Sequence, residues 1–333
     1  MRSASTLPRR RVLRRLLAAS LAGPAASLLG ASPARAQGDV LKLVVAAPPG
    51  GITDQMGRAL SEPLRQALRQ AVMVENRPGA SGAIAARAVL QAPADGRTLF
   101  LATPTSLTLP TLLKQPAPFD AQKDFAPVAL LAGGDGLLVV PASLPVNTVQ
   151  ELVAYMKARP GQLNYGSAGI ASTNHLAMAL LLDRLGADAV HVPFTGAGPA
   201  ITALLGGQFQ LYVGDIGSVG AQVRAGKLKA LAQVGLKRSP AFPDVPTLAE
   251  TVAPGYRATF WLGLLARADT PAPLLAKLND AANQALVAEA VRAQLVAMAF
   301  EGHTGPPRDL AEQIASDLAT WGPLIRKHHI TAQ

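Results

Sequence analysis

Pro48-Pro49-Gly50-Gly51-Ile52-Thr53-Asp54 follows the apolar run Leu41-Lys42-Leu43-Val44-Val45-Ala46-Ala47. Together they read as a buried strand, a glycine turn and the opening of a helix. Gly50 and Gly51 let the main chain turn sharply and approach a ligand, and Thr53 and Asp54 are residue types that favour a first helical turn. Such a turn leaves amide N–H groups unpaired at the positive end of a helix dipole, which can hold an anion without any cationic side chain. On this reading a side chain at Gly51 would enter the anion's space.

Working outward, Met56, Leu60, Leu64 and Leu68 recur every four residues and give the first helix an apolar stripe to lay on a sheet. Ala71-Val72-Met73-Val74 is a second strand, Glu75 to Gly82 a second turn, and 83–90 a second helix. Thr98 to Ala102 is a third strand, ending in the loop Thr103-Pro104-Thr105-Ser106. Consecutive strand–turn–helix units predict an α/β fold with a parallel sheet and right-handed crossovers, whose ligands bind at the carboxyl ends of the strands. Strands are expected at 126–131 and 136–140. Thr148 with Glu151 looks like a helix cap for a helix to about Ala158.

Further strands at 162–165, 190–194, 209–213 and 230–234 follow. Three of them run into loops of small and hydroxyl residues: Gly166 to Asn174, Thr195-Gly196-Ala197-Gly198 and Gly214 to Ser218. His175 opens the helix marked by Leu176, Leu180, Leu181 and Leu185, a position where an imidazole packs or caps more often than it touches a solute. A last strand at 259–265 returns to the first domain, and a helix runs from Pro271 to about Ala288. Leu310, Ile314, Leu318, Trp321 and Ile325 stripe the final helix, with Trp321 as core. Five loops ending strands in both halves of the chain imply a cleft between two lobes lined by backbone donors. The alternative for each loop alone is turn geometry.

Residues 1–36 read as an export leader: six arginines up to Arg15, an apolar stretch from Leu16 to Leu29, and Ala34-Arg35-Ala36 as a small-residue cleavage site. Arg9-Arg10-Arg11-Val12-Leu13-Arg14 resembles a twin-arginine signal, with a general secretory signal as the alternative. Removing the leader's seven arginines from the 31 Lys and Arg leaves 24 against 21 Asp and Glu, so nucleic-acid binding is not expected. The absence of cysteine excludes disulfides, thiolate chemistry and a lipidated N-terminal Cys. Residues 189–214 carry almost no charge, but their prolines and glycines argue against a membrane span.

No G-x-S-x-G elbow, phosphate loop or H-E-x-x-H helix is present. The five histidines, at 175, 191, 303, 328 and 329, lie at no metal-ligand spacing, so neither a metal nor a cofactor is expected. Asp54 and Asp215 could form an acid/base pair, or each could cap its own helix.

Pro49 to Asp54, Glu75 to Gly82, Tyr165 to Gly169 with His175-Leu176, Val192 to Ala200 and Asp244-Val245-Pro246-Thr247 together resemble the Bug-type receptors of tripartite tricarboxylate transport systems, periplasmic solute-binding proteins of Gram-negative bacteria. The resemblance implies a periplasmic-binding-protein type II fold, or Venus flytrap. Each of its two lobes would have a central, mostly parallel sheet flanked by helices, and the chain would cross between them twice. The lobes would be 37–138 with 261–333, and 139–260. It further implies ligand contacts from Gly51, Thr53, Asp54, Thr105, Ser106, Ser167, Ala168, Gly169, Ser172, Thr195, Gly196 and Asp215. Their loop neighbours Gly50, Ile52, Thr103, Ala171 and Ile216 complete the candidate set. Thr195 stands where the family often has Lys, and Phe194 where Tyr is frequent. Both changes reduce polarity, so an ordinary dicarboxylate should not be assumed.

The implied protein is a monomeric, periplasmic receptor that is not an enzyme. It closes on a small organic acid and presents it to membrane permease subunits. The alternatives are a sensor without its own permease, or an exported hydrolase or isomerase using Asp54 and Ser167.

Overall fold

The computed structural model describes residues 40–113 and 116–331. The export-leader reading of 1–36 lies outside them. The described chain forms one compact unit.

Strand β1 (Leu41–Val45) leads into helix α1 (Ile52–Leu68), β2 (Val72–Asn76) into α2 (Ala83–Leu90), and β3 (Thr98–Ala102) into a 3-10 turn (Pro104–Ser106) and α3 (Thr108–Leu113). β1 pairs in parallel with both β2 and β3, as the repeated strand–turn–helix units require. Its residues alternate between two buried faces. Leu41, Leu43 and Val45 pack with Met56, Leu60 and Leu64 of α1, whereas Val44 meets Ala83, Ala86 and Val89 of α2 on the other side. Each fully buried leucine in that stripe contributes about 2 kcal/mol of transfer free energy.

β4 (Phe125–Gly134) and β5 (Gly136–Pro141) are separated by Asp135 alone, yet lie in different sheets. The chain continues through α4 (Val149–Lys157), β6 (Asn164–Ser167), α5 (Thr173–Leu185), β7 (Val190–Pro193) and α6 (Ala197–Leu205). Next come β8 (Tyr212–Asp215), α7 (Ile216–Arg224), β9 (Leu228–Gln233) and α8 (Leu248–Thr251). It returns through β10 (Phe260–Arg267), α9 (Ala272–Leu286), α10 (Glu289–Met298), β11 (Phe300–Gly302) and α11 (Pro307–Lys327). Helices α3 and α10 and strand β11 were not anticipated, and the helix expected to reach Ala288 stops at Leu286.

The α/β class holds, but the sheets are mixed instead of mostly parallel. The six-stranded sheet has the order β11-β4-β10-β3-β1-β2, and β10 runs antiparallel to both β3 and β4. The second sheet, β8-β5-β9, is antiparallel throughout. The parallel pair β6-β7 adjoins β8 through a bridge between Tyr165 and Leu211. The reason is connectivity: β4 runs in the same sense as β1 and β3, whereas β10, which returns from the second sheet without a crossover helix, enters between β3 and β4 in the opposite sense.

Helix α11 belongs to two cores. Leu310 and Ile314 pack with Trp261 under the six-stranded sheet, while Trp321, Leu324 and Ile325 pack with α5 residues Leu181 and Leu182. Trp321 is core, as its place in the stripe suggested.

Two loops at the carboxyl ends of β2 and β3 touch at one glycine. Gly82 has φ +90°, and a Cβ there would fall 2.5 Å from Ser106 Cβ and 2.6 Å from Ser106 Cα. Gly82→Ala should therefore destabilise the protein by about 2–4 kcal/mol, combining left-handed strain with backbone collision. The shift of the urea unfolding midpoint measures it, and an unchanged midpoint would refute the proposed interlock.

Candidate functional site

The β1–α1 turn is built around one carboxylate. Asp54 Oδ2 accepts from the Gly50 amide (2.8 Å) and from Arg58 Nε (3.0 Å), and Oδ1 accepts from Asn76 Nδ2 (2.9 Å). Asn76 Nδ2 also donates to the Ala47 carbonyl at 3.0 Å. Asp54 is 2% exposed. Arg58, the Gly50 amide and Asn76 outweigh burial and hold its carboxyl down at about 2. Asp54 is thus a brace for the turn. The helix start itself, with Gly51 as N-cap, has no side-chain cap, so the amides of Ile52 and Thr53 stay free of side-chain partners. A Cβ on Gly51 would meet Ala47 Cβ and Pro48 O, each at 3.3 Å. The glycine therefore packs closely within its own turn.

The β6–α5 loop is likewise tied internally. Ser167 is 0% exposed; its Oγ donates to the Gly169 carbonyl (2.8 Å), accepts from the Gly169 amide (3.1 Å) and lies 2.7 Å from His191 Nε2. His191 stacks on His175 with ring centroids 3.7 Å apart, and His175 Nδ1 accepts from the Ala171 amide at 2.9 Å. Burial pulls His175 down to about 3 and His191 to about 4, so both rings are neutral at physiological pH. Ala171 adopts φ +58° to allow this turn. Ser172 caps α5 by accepting from the His175 amide at 3.3 Å, which leaves the first two amides of the helix, Thr173 and Asn174, without a side-chain cap.

A cavity of about 180 Å³ lies where these starts converge. Ile52 and Thr53 line it from α1, Thr103, Pro104 and Thr105 from the loop after β3, Thr173 and Asn174 from α5, and Asp215 from the end of β8. Phe260, Trp261 and Leu262 of β10 and Phe300 of β11 form its apolar wall. Thr105 and Thr173 face each other, with hydroxyl oxygens 3.3 Å apart. Asn174 Nδ2 donates to the Val213 carbonyl at 2.8 Å, which fixes that side chain. Two hollows of about 450 Å³ occur elsewhere, but neither includes a candidate residue.

Of the residues singled out from sequence, Ile52, Thr53, Thr103, Thr105 and Asp215 are on the cavity wall. Gly50, Gly51, Asp54, Ala168, Gly169, Ala171 and Ser172 shape the turns behind it. Ser106 closes its own turn, accepting from the Thr103 amide at 3.0 Å. Thr195 is exposed, Gly196 is the N-cap of α6, and Ile216 is buried in the core with Val219. Thr173 and Asn174 were missed although they directly follow a recognisable cap, and the aromatic wall was missed because it reads as ordinary strand.

A family model described as "Tripartite tricarboxylate transporter family receptor" matches residues 56–330. The chain belongs to that family. Three solved structures share its fold over nearly their whole length. The periplasmic binding protein BugD has TM-score 0.74 and 28% identity, covering 88% of this chain and 99% of that one. A Rhodopseudomonas palustris protein with adipate has TM-score 0.75 and 31% identity, covering 87% and 97%. MatC from the same species, with bound malate, has TM-score 0.73 and 32% identity, covering 86% and 98%. The family is one of solute-binding receptors, as the loop motifs had implied.

Trp261 ties the wall to a buried acid. Its Nε1 donates to Asp317 Oδ2 at 2.8 Å, and Gln313 Nε2 donates to Oδ1 at 2.9 Å. Asp317 is 6% exposed, and burial pushes its carboxyl up to about 6 despite those donors. Folded protein therefore binds this proton more tightly than unfolded chain. The stabilisation it confers is complete below about pH 4 and is lost as pH rises through 6, a change of about 3 kcal/mol. Asp317→Asn should flatten that part of the stability profile between pH 4 and 7. In a Trp321→Phe background, the emission of Trp261 should titrate near pH 6 and cease to do so in the Asn variant.

Proposed function

We propose that this protein is a periplasmic receptor that captures a small organic acid in the cavity between helix starts and delivers it to membrane permease subunits, without catalysing any change in it. The observation that carries this reading is the convergence of helix starts and hydroxyls on one cavity with no Lys, Arg or His on its wall. Such donors hold an anion through fixed dipoles, each start supplying about 0.3–1 kcal/mol or more when water is excluded. The adipate and malate bound by two structural neighbours are acids of this kind.

We place the boundaries between the two lobes where β4 passes into β5, at Asp135, a few residues before the 138 expected from sequence, and where the chain re-enters at β10. The receptor acts as a monomer. The hydrolase alternative loses support from its own residues. Asp54 has both oxygens engaged and Ser167 has no exposed surface, so neither can reach a substrate bond.

The start of α7 lies against the end of α10. A Cβ on Gly217 would lie on the Met298 carbonyl oxygen, a backbone atom that cannot swing aside. Gly217→Ala should therefore weaken acid binding by at least about tenfold, by pushing α7 away from α10, and lower the stability of the unliganded protein by about 1–3 kcal/mol. Calorimetric titration reads the first effect and thermal unfolding the second. For the unaltered protein, a hundredfold excess of a cognate acid over Kd should add about 2.7 kcal/mol of stability. No thermal shift across a panel of mono-, di- and tricarboxylates would remove the reading.

A further inference from the structure

Asp215 is the one ionisable side chain on the cavity wall, and its sign is opposite to that suited to a second carboxylate. The residue is 7% exposed. Oδ1 accepts from the Ser218 amide at 2.9 Å, which caps α7. The Ser218 hydroxyl donates to the Asp215 carbonyl at 2.8 Å and also lies close enough to favour the carboxylate, but no well-formed hydrogen bond reaches Oδ2 among the described residues. Among the described residues the polar side-chain atoms sealed away without a partner are the hydroxyls of Tyr212 and Thr270, so Oδ2 keeps some exposed surface, and Asp215 lines the cavity. Around it the wall offers the Thr105–Thr173 hydroxyl pair, an Asn174 amide already committed to Val213, and the apolar surfaces of Phe260, Trp261, Leu262 and Phe300.

A buried acceptor on a cavity wall needs a donor. We infer that the solute supplies it: besides the carboxylate held at the helix starts, it carries a hydroxyl or protonated amine that donates to Asp215. This rests on the receptor reading given above. Burial pushes the Asp215 carboxyl up, a penalty that a donor placed against it relieves. An unsubstituted dicarboxylate would instead set its second charge against an aromatic wall or against Asp215 itself. With no cation on the wall, neither position offers compensation.

The test compares acids that share a skeleton and differ at one carbon: propionate, lactate and alanine, then succinate, malate and aspartate. Each is titrated calorimetrically into the full-length mature protein and into Asp215→Asn. Asn can keep its oxygen on the Ser218 amide and so preserve the cap, but places an NH2 donor where Oδ2 stood. In the unaltered protein, the hydroxylated or aminated member should bind at least about tenfold more tightly than its unsubstituted partner. In Asp215→Asn the amino acid should lose most, because an ammonium can only donate. The hydroxy acid should lose less, and succinate should gain.

Equal affinities within each series, with a ranking unchanged by Asp215→Asn, would overturn the inference while leaving the receptor reading in place. Binding by no acid in either series would overturn both. If the variant does not fold by circular dichroism, the ranking in the unaltered protein decides alone.

Discussion

The first amides of a helix have no carbonyl to bond within the helix, and when the helix start is buried they must find a partner or a guest. This constraint organises the molecule. At α5 and α7 a side chain, Ser172 or Asp215, takes one of the amides. At α1 no side chain does, and the turn is held from behind by Asp54, which is itself clamped by Asn76 from the end of β2. The division of labour is physical. A carboxylate that braces a loop through three donors cannot also reach a solute, and it thereby leaves the amide face of the helix free for one.

The strands and the five loops were legible because both carry local signals. Strands such as β1 and β3 alternate between two buried faces and read as short apolar runs, and the loops carry glycine, proline and hydroxyls where the chain turns. What escaped the sequence was set by partners distant in the chain. Asn76 was part of a recognised motif, but its bond to Asp54 follows from the parallel pairing of β1 and β2, which puts Asn76 opposite Val45. The burial of Ser167 depends on His191, 24 residues later. Phe260 and Trp261 would look the same in sequence whether they faced a core or a cavity, and Phe300 sits on a strand of three residues, too short to show a period. The antiparallel sense of β10 was hidden for a similar reason, since direction comes from which sheet a strand re-enters.

The same elements connect the cavity to the rest of the fold. Trp261 is at once wall, core and hydrogen-bond donor to Asp317 on α11. Helix α11 then runs from the core beneath the six-stranded sheet into the core that contains α5, whose start lines the cavity. Any change in the separation of the two sheets must therefore repack or bend α11, and its buried tryptophan and isoleucine resist that. A helix shared between two cores limits how far a cleft can open, whereas the single residue between β4 and β5 allows rotation with little cost.

Cationic side chains would give such a cavity affinity for almost any anion, because a point charge acts over distance and tolerates many geometries. Amides and hydroxyls are weaker and directional, so they discriminate by where the acceptor lies. Here they occupy one side, an aromatic wall occupies another, and a lone carboxylate stands at the end of β8. A guest must present an acceptor to the first, apolar surface to the second and a donor to the third. Three unlike demands around a cavity of about 180 Å³ would select by unpaired polar groups instead of by size, because a missing hydrogen bond discriminates more sharply than a missing methylene.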